Sequence, residues 1–357
     1  MPDTLLYAST PALRVGGSLA TGPMQHLVSL TVEEDVHGLC WMEARLNNWG
    51  FTGNGIDYLY LDRATFDFGT RVEVSFGPNG GTRVFTGRIS ALEAAYPAGS
   101  LATFGICAED GLQDLRLSRR TRTFDQVSTA DVAQQLASDH GLTADISLTG
   151  PTRVVVNQLN LSDLAFLRQL ALADGGEVWL DDSTLHVQGR ADRDGGSVSL
   201  EYGGGLLHFD VRADLAHQVT DVVATGWSVA DKDTIEETAD SGGLGAELGS
   251  DSSGSDVLAA AFAERHEHLV VTEPLTSDDA RSRAKAAYLE RARRFVTGSG
   301  RTGGTPELRV GGRVTLSGLG SSFNGDYRVV RTRHHFDVHD GYRTDFDVER
   351  AGIGATS

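Results

Sequence analysis

Short alternating apolar runs closed by glycine-rich turns constrain this chain more than any other feature. From Arg71 to Phe76, Val72, Val74 and Phe76 fall on one face of an extended segment, and Gly77-Pro78-Asn79-Gly80-Gly81 supplies the reversal. The chain returns as Arg83-Val84-Phe85-Thr86-Gly87-Arg88-Ile89, and Leu101 to Cys107 makes another strand. Strands this short with such turns fit a small barrel or sandwich better than alternating βαβ units. Asn47 to Ile56, with three glycines and Trp49, reads as an excursion between strands.

The pattern has an internal echo. Gly69-Thr70-Arg71-Val72-Glu73-Val74-Ser75 and Gly312-Arg313-Val314-Thr315-Leu316-Ser317 both set a glycine shortly before an Arg-Val strand, and each is followed by a glycine-rich turn and a further strand. A repeated β unit is one explanation; strand chemistry alone is the other. Further strands are predicted at Ser197 to Tyr202, Leu206 to Val211, Val219 to Ser228, Asp326 to Arg333 and Arg343 to Arg350.

Between the two β regions the texture changes. Ser128 caps a predicted helix through Asp139, with Asp131 as the reciprocal partner, and Ser162 caps a second that carries Leu161 and Phe166 as a hydrophobic staple and ends at Gly175. Glu177 to Leu180 and Thr184 to Gln188 flank Asp181-Asp182-Ser183 as a hairpin. Asp231 to Asp256 is acidic and rich in glycine and serine, so a mobile linker or long loop is expected there. Val257 to His268 and Ser277 to Phe295 read as helices, the second with Asp278 and Asp279 at its positive end and Arg291, Arg293 and Arg294 at its negative end. Gly298 to Gly304 reads as a flexible break.

With 357 residues the chain has room for two or three cores, and 31 Lys and Arg against 49 Asp and Glu give a net charge of −18. That field opposes broad adhesion to nucleic acid or anionic membrane, so neither nucleic-acid recognition nor integral membrane association is expected. Cys40 and Cys107 have no metal or redox spacing and read as buried thiols. The start, Met1-Pro2-Asp3-Thr4, lacks the pattern of a secretory signal, and no apolar run reaches membrane-spanning length; assembly in the cytoplasm is expected.

The motifs for enzyme chemistry are weak. His334-His335-Phe336-Asp337-Val338-His339 is the most metal-like cluster, yet on a strand His335 and His339 stand about 13 Å apart, too far for one ion. His266-Glu267-His268 lacks the spacing of a zinc-protease pair, and His208 with Asp210 or His217 with Asp221 adjoins no identifiable nucleophile. Gly298 to Gly304 lacks the Gly-Lys-Ser or Gly-Lys-Thr ending of a phosphate loop. No catalytic residue, cofactor or metal is predicted.

A set of motifs in a fixed order resembles the baseplate hub of contractile phages, the front half of VgrG proteins and phage late-control protein D. The pieces are Phe85-Thr86-Gly87-Arg88-Ile89, then Asp110-Gly111-Leu112-Gln113-Asp114-Leu115-Arg116, then Asn160 to Ala171 with Phe166 and Leu167. They close with Phe323-Asn324-Gly325-Asp326-Tyr327-Arg328-Val329, His334-His335-Phe336, Gly341-Tyr342-Arg343-Thr344 and Phe346. Together they span residues 85 to 346.

This resemblance implies a mainly β protein with α/β elements: two related small β barrels per protomer, lateral helical and α/β insertions, and assembly of three protomers as a pseudo-sixfold ring. The corresponding division is 1–108 for the first barrel, 109–190 for a lateral α/β domain, 191–230 and 303–350 for the second barrel, 231–302 for the acidic linker and helical excursion, and 351–357 for a tail. It implies a non-enzymatic hub joining a hexameric tail tube to a trimeric central spike and transmitting force on contraction. The expected partners are two further copies of the chain, the inner tube protein, a separate spike protein and neighbouring baseplate proteins, within a phage tail or tail-like particle. Phe85, Gly87, Arg88, Leu112, Leu115, Phe166, Leu167, Phe323, Gly325, Tyr327, Phe336 and Tyr342 are the structural or interface candidates. A host-surface or carbohydrate-binding tail module using Trp41, Trp49, Trp179 or Trp227 is the alternative, followed by a cell-wall hydrolase built from His and Asp residues.

Overall fold

The computed structural model describes residues 10–53, 55–77 and 81–354. Twelve strands, numbered in chain order, form two sets of six. The first comprises β1 (Ala12–Val15), β2 (Leu27–Asp35), β3 (Trp41–Asn47), β4 (Arg71–Phe76), β5 (Thr82–Ala95) and β6 (Thr103–Glu109). The second comprises β7 (Ser197–Glu201), β8 (Leu206–Ala213), β9 (Val296–Gly303), β10 (Arg313–Ser317), β11 (Gly325–Asp337) and β12 (Gly341–Arg350).

The first set lies in the order β2-β3-β6-β5-β4-β1 and the second in the order β8-β9-β12-β11-β10-β7, so each strand has a counterpart six places on. Register supports the same correspondence. Arg71 faces Arg88 and Arg88 faces Glu109, while Arg313 faces Arg328 and Arg328 faces Glu349. The sequence echo therefore marks a structural repeat. The halves differ at one edge: β1 runs antiparallel to β4, whereas β7 runs parallel to β10.

Neither set closes on itself, which corrects the expectation of two small barrels. The outer edge of β2 does not return to β1; it pairs with β11 of the second set, from Asp35 opposite Arg331 to Ser29 opposite Asp337. With the short Ser18–Leu19 strand the result is one open sheet of thirteen strands. Alternating strands with glycine turns are common to closed and open sheets; what differs is which edge satisfies the last row of backbone groups, a long-range choice.

The break expected over Gly298 to Gly304 is instead the body of β9 as far as Gly303, held between β8 and β12. The glycines at alternate positions make room for rings. A Cβ on Gly298 would come within 2.5 Å of Phe209, one on Gly300 within 2.4 Å of Phe346, and one on Gly304 within 1.9 Å of Tyr342. Aromatic side chains cover the bare backbone and restore the burial that glycine lacks. At the reversal expected over Gly77 to Gly81, Pro78, Asn79 and Gly80 lie outside the described residues; Phe76 and Thr82 pair on either side of it.

Two smaller units are inserted. The first holds α1 (Thr129–Asp139), α2 (Asp163–Ala173), an antiparallel ribbon of Arg119–Val127 with Arg153–Ser162, and a three-stranded sheet of Thr143–Ile146, Gly176–Asp181 and Thr184–Gly189. Ser128 and Asp131 form the predicted capping box, and Ser162 accepts from the Ala165 amide. The second unit pairs Asp221–Ser228 with Asp233–Asp240 and, in parallel, with His266–Pro274, all beneath α4 (Ser277–Arg293). A strand thus runs through the acidic stretch expected to be a linker. The helix expected over Val257 to His268 is instead α3 (Gly254–Phe262), which stops at Ala263 with φ of 66° and gives way to the strand at His266. Thr276, not Ser277, caps α4 by accepting from the Asp279 amide.

Candidate assembly interface

The motif residues are mostly supports. Gly87 sits where β5 leaves β4 and joins β6, and a Cβ there would lie 2.3 Å from the Glu109 carbonyl oxygen. Only glycine lets the two backbones pass so closely. Beside it Phe85 is buried in the first core, and Arg88 is exposed and paired with Asp114. Leu112, Leu115, Phe166 and Leu167 are buried together in the core of the first insertion.

Asp110 begins the turn into that insertion. Its carboxylate accepts from the backbone amides of Cys40 at 2.9 Å and Leu112 at 3.0 Å, tying the insertion back to the sheet. Burial pushes its pKa up to about 6 even though the two amides and Arg168 favour the charge.

The closing motif is a turn pinned by one arginine. Arg350 donates to the carbonyl oxygens of Asn324, Ser322 and Gly352, and its guanidinium lies 4.8 Å from the centroid of the Tyr327 ring. Tyr327 is buried in the second core and donates to the Phe323 carbonyl, while Phe323 packs half-buried against that core. Gly325 has φ of 130°, and a Cβ there would meet Arg350 at 2.8 Å.

The seam between repeats is where the second set enters the first. Phe336 and Tyr342 belong to the second set by chain position, yet both pack in the hydrophobic core of the first, with Tyr342 stacked on Phe76 at 4.0 Å between centroids. A polar network bolts the same seam. Glu34 on β2 receives Arg193 at 2.8 Å and Arg309 at 3.0 Å, and Glu177 of the first insertion receives Arg328 at 3.0 Å and Arg193 at 3.5 Å. Burial opposes the charge on Glu34, but the two arginines outweigh it and hold the carboxyl below its usual range.

The histidine cluster is split by the strand's alternation. His334 is buried, with Nδ1 2.8 Å from the Tyr342 hydroxyl, and burial, with Arg309 nearby, pushes its pKa down to about 3. His335 faces the other way, toward Thr31 and Asp337. Among the described residues no group of three or more His, Cys, Asp or Glu side chains is placed to hold a metal ion. His208 with Asp210 is an exposed pair, and Asp221 is bonded to His266. Trp49 and Trp227 are exposed on different sheets, while Trp179 is stacked between His186 and Arg193.

Among the free strand edges of the described residues are the side of β5 from Ala91 to Ala95 that faces away from β6, and the outer side of β8 beyond an isolated bridge between Tyr202 and Leu206. β8 corresponds to β2, and the end of β5 corresponds to the part of β11 that β2 pairs with. The seam inside the chain therefore has unfilled counterparts of both its halves. Near the β5 edge a cluster of exposed aromatics gathers on the hairpin of Trp49–Phe51 with Ile56–Tyr58. Sequence motifs gave no sign of these edges, because an unpaired edge is a property of the whole sheet.

The family model described as the Alg8 N-terminal domain matches residues 13–337. No curated protein matches the sequence closely enough to count as a relative. Among solved structures, the 43 kDa tail protein of prophage MuSo2 from Shewanella oneidensis superposes with a TM-score of 0.69 at 14% identity, over 96% of this chain and 98% of that one. A tail protein from Neisseria meningitidis gives 0.69 at 14% identity, over 98% of each chain. The E. coli c3393 protein, described as a component of the type VI secretion system with similarity to the T4 tail proteins gp27 and gp5, gives 0.56 at 11% identity, over 96% of this chain and 79% of that one. The chain shares its fold with these tail proteins.

Proposed function

The chain belongs to the Alg8 N-terminal domain family, and from the fold it shares with tail proteins we propose that it is a non-enzymatic hub subunit of a contractile, phage-tail-like particle. In this role it links the inner tail tube to a separate central spike, transmits axial force during contraction, and works as a homotrimer. The observation that carries the reading is the unfilled seam. Inside the chain, β2 adds to β11; the same step taken again would add β8 of one copy to the end of β5 in the next.

Such a contact is head-to-tail, and head-to-tail contacts build rings when the rotation closes. The register carried over from the internal seam sets Arg212 opposite Glu93, Ala213 opposite Leu92, and Phe209 opposite Tyr96. Arg212 and Glu93 are both exposed and of opposite sign, which favours that register over its neighbours. A ring of this kind also covers edges that would otherwise recruit strands at random. The polar bolts at Glu34 and Glu177 suit a part that must carry load without its two repeats separating.

Imaging of assembled native particles tests the proposal. The expected result places three copies on the particle axis between tube and spike. Density for this chain away from the axis, or as single copies, would overturn it.

A further inference from the structure

We infer that the aromatic hairpin Trp49–Tyr58 is a clamp between copies, and that its occupant is the stretch around Tyr202 and Leu207 of the neighbouring copy; this rests on the edge-to-edge reading above. The hairpin is an addition to one repeat only. β3 ends at Asn47 and the hairpin follows, whereas the counterpart of β3, β9, ends at Gly303 and runs to β10 through a connection without strands. The extra element stands beside the junction that the chain does not fill by itself.

Its placement is fixed at both ends. Asn48 is fully buried, and its side-chain oxygen accepts from the amides of Leu59 and Tyr60 at 3.0 Å each, so the base of the hairpin is clipped shut. Trp49 packs edge-on against Tyr58 at 5.2 Å, and Tyr58 against Tyr96 at 5.8 Å. Tyr96 directly follows the end of β5, whose side away from β6 is free. Its counterpart Phe336 is buried in the core of the other repeat, whereas Tyr96 is 60% exposed.

The hairpin itself offers Phe51 at 74% and Ile56 at 68% exposure, a patch that water covers poorly. On the proposed neighbour, the residues preceding Phe209 arrive next to Tyr96. There Leu207 is 54% and Tyr202 59% exposed, two large apolar side chains flanking the Gly203-Gly204-Gly205 entry to β8. Apolar patch thus meets apolar patch, directly continuous with the Glu93 and Arg212 charge pair. Aromatic anchors at the side of a polar strand contact are the arrangement that concentrates binding energy in few residues.

The test is self-association of the full chain by analytical ultracentrifugation, with three sets of variants. Phe51→Ser with Ile56→Ser, and separately Leu207→Ser, are each expected to weaken association at least about tenfold. The two changes combined should weaken it by much less than the product of their effects, because both remove one contact. Fully multiplicative effects, or no effect, would overturn the clamp. Glu93→Arg and Arg212→Glu test the edge pairing on its own: loss in each and recovery in the double variant, with hairpin variants unchanged, keeps the edge reading and sinks the clamp. A wild-type chain that stays monomeric at every accessible concentration sinks both. A photo-crosslinking residue at position 56, in a mixture of isotope-labelled and unlabelled chains, should attach between copies to residues 200–212; attachment elsewhere contradicts the clamp, even if association is weakened.

Discussion

Arg153 and Asp279 meet at 2.8 Å across the boundary between the two inserted units, both side chains almost fully buried. The same guanidinium takes Asp174 at 2.7 Å, and Ser282 donates to Asp174 from α4. An arginine of the ribbon is in this way the rivet between α2 and α4, elements more than a hundred residues apart.

Arg153→Ala leaves buried Asp174 without its cation and Asp279 with Arg283 alone, at 3.2 Å. A loss of about 3–5 kcal/mol is expected, since removal of one member of a buried pair strands the other charge. Chemical denaturation monitored by circular dichroism would measure it. A loss below about 1 kcal/mol would mean that water or a shift of Arg283, already on Asp279, offsets the missing charge.

Gly87→Ala puts a methyl group 2.3 Å from a backbone oxygen at the crossing of β5 and β6. Because backbone rather than a flexible side chain must yield, destabilisation of about 3 kcal/mol or failure to fold is expected. Gly303→Ala is the control, with nothing within 4 Å of the added Cβ. It should change the melting temperature little; equal losses in the two variants would remove the steric explanation.

Asp110 should make the protein more stable as the pH falls from 7 toward 4. Its folded pKa of about 6 lies above the value of about 3.9 expected in the unfolded chain, so in that interval the folded state binds the extra proton. The charged carboxylate therefore costs stability above pH 6, on the order of 3 kcal/mol, and the cost disappears as the pH drops through 6 toward 4. Glu34 nearby adds repulsion and Arg168 attraction. The wild-type stability minus that of Asp110→Asn, measured from pH 4 to 8, is expected to fall between pH 4 and 6 and to be flat above. A difference that is flat throughout would show an unperturbed carboxyl.

Arg350→Ala should loosen the turn at Phe323 to Asp326, because three carbonyl oxygens lose their donor at once. About 2–4 kcal/mol is expected from hydrogen bonds to a charged, buried group. Arg350→Lys should recover little, as an ammonium cannot present the same fork. Hydrogen exchange at residues 322–329 reads the local effect, and unchanged exchange there would place the role of Arg350 elsewhere.

Much of this architecture was legible in local patterns. Val72, Val74 and Phe76 alternate because one face of β4 is buried, and the Ser128 and Asp131 cap announces α1 within four residues. The paired Arg-Val strands left a repeat open beside strand chemistry alone, and the matching strand order decided it. Other local signals misled. Gly298, Gly300 and Gly304 look like a linker because glycine removes side-chain burial, yet Phe209, Phe346 and Tyr342 arrive from other strands to cover them. The histidines at 334 and 335 look like ligands until the strand turns one inward and one outward.

The amino-acid order alone marked many of the strands and helices, the faces they bury, and a pair of similar β segments, because periodicity, caps and turns act over a few residues. Tertiary structure decided whether each unit closes and what its last edge pairs with. That choice depends on the meeting of β2 with β11, separated by nearly the whole chain, and on which edges remain for another copy. Hydrogen-bonding capacity at a strand edge is the same for every sequence, so only the assembled sheet selects the partner.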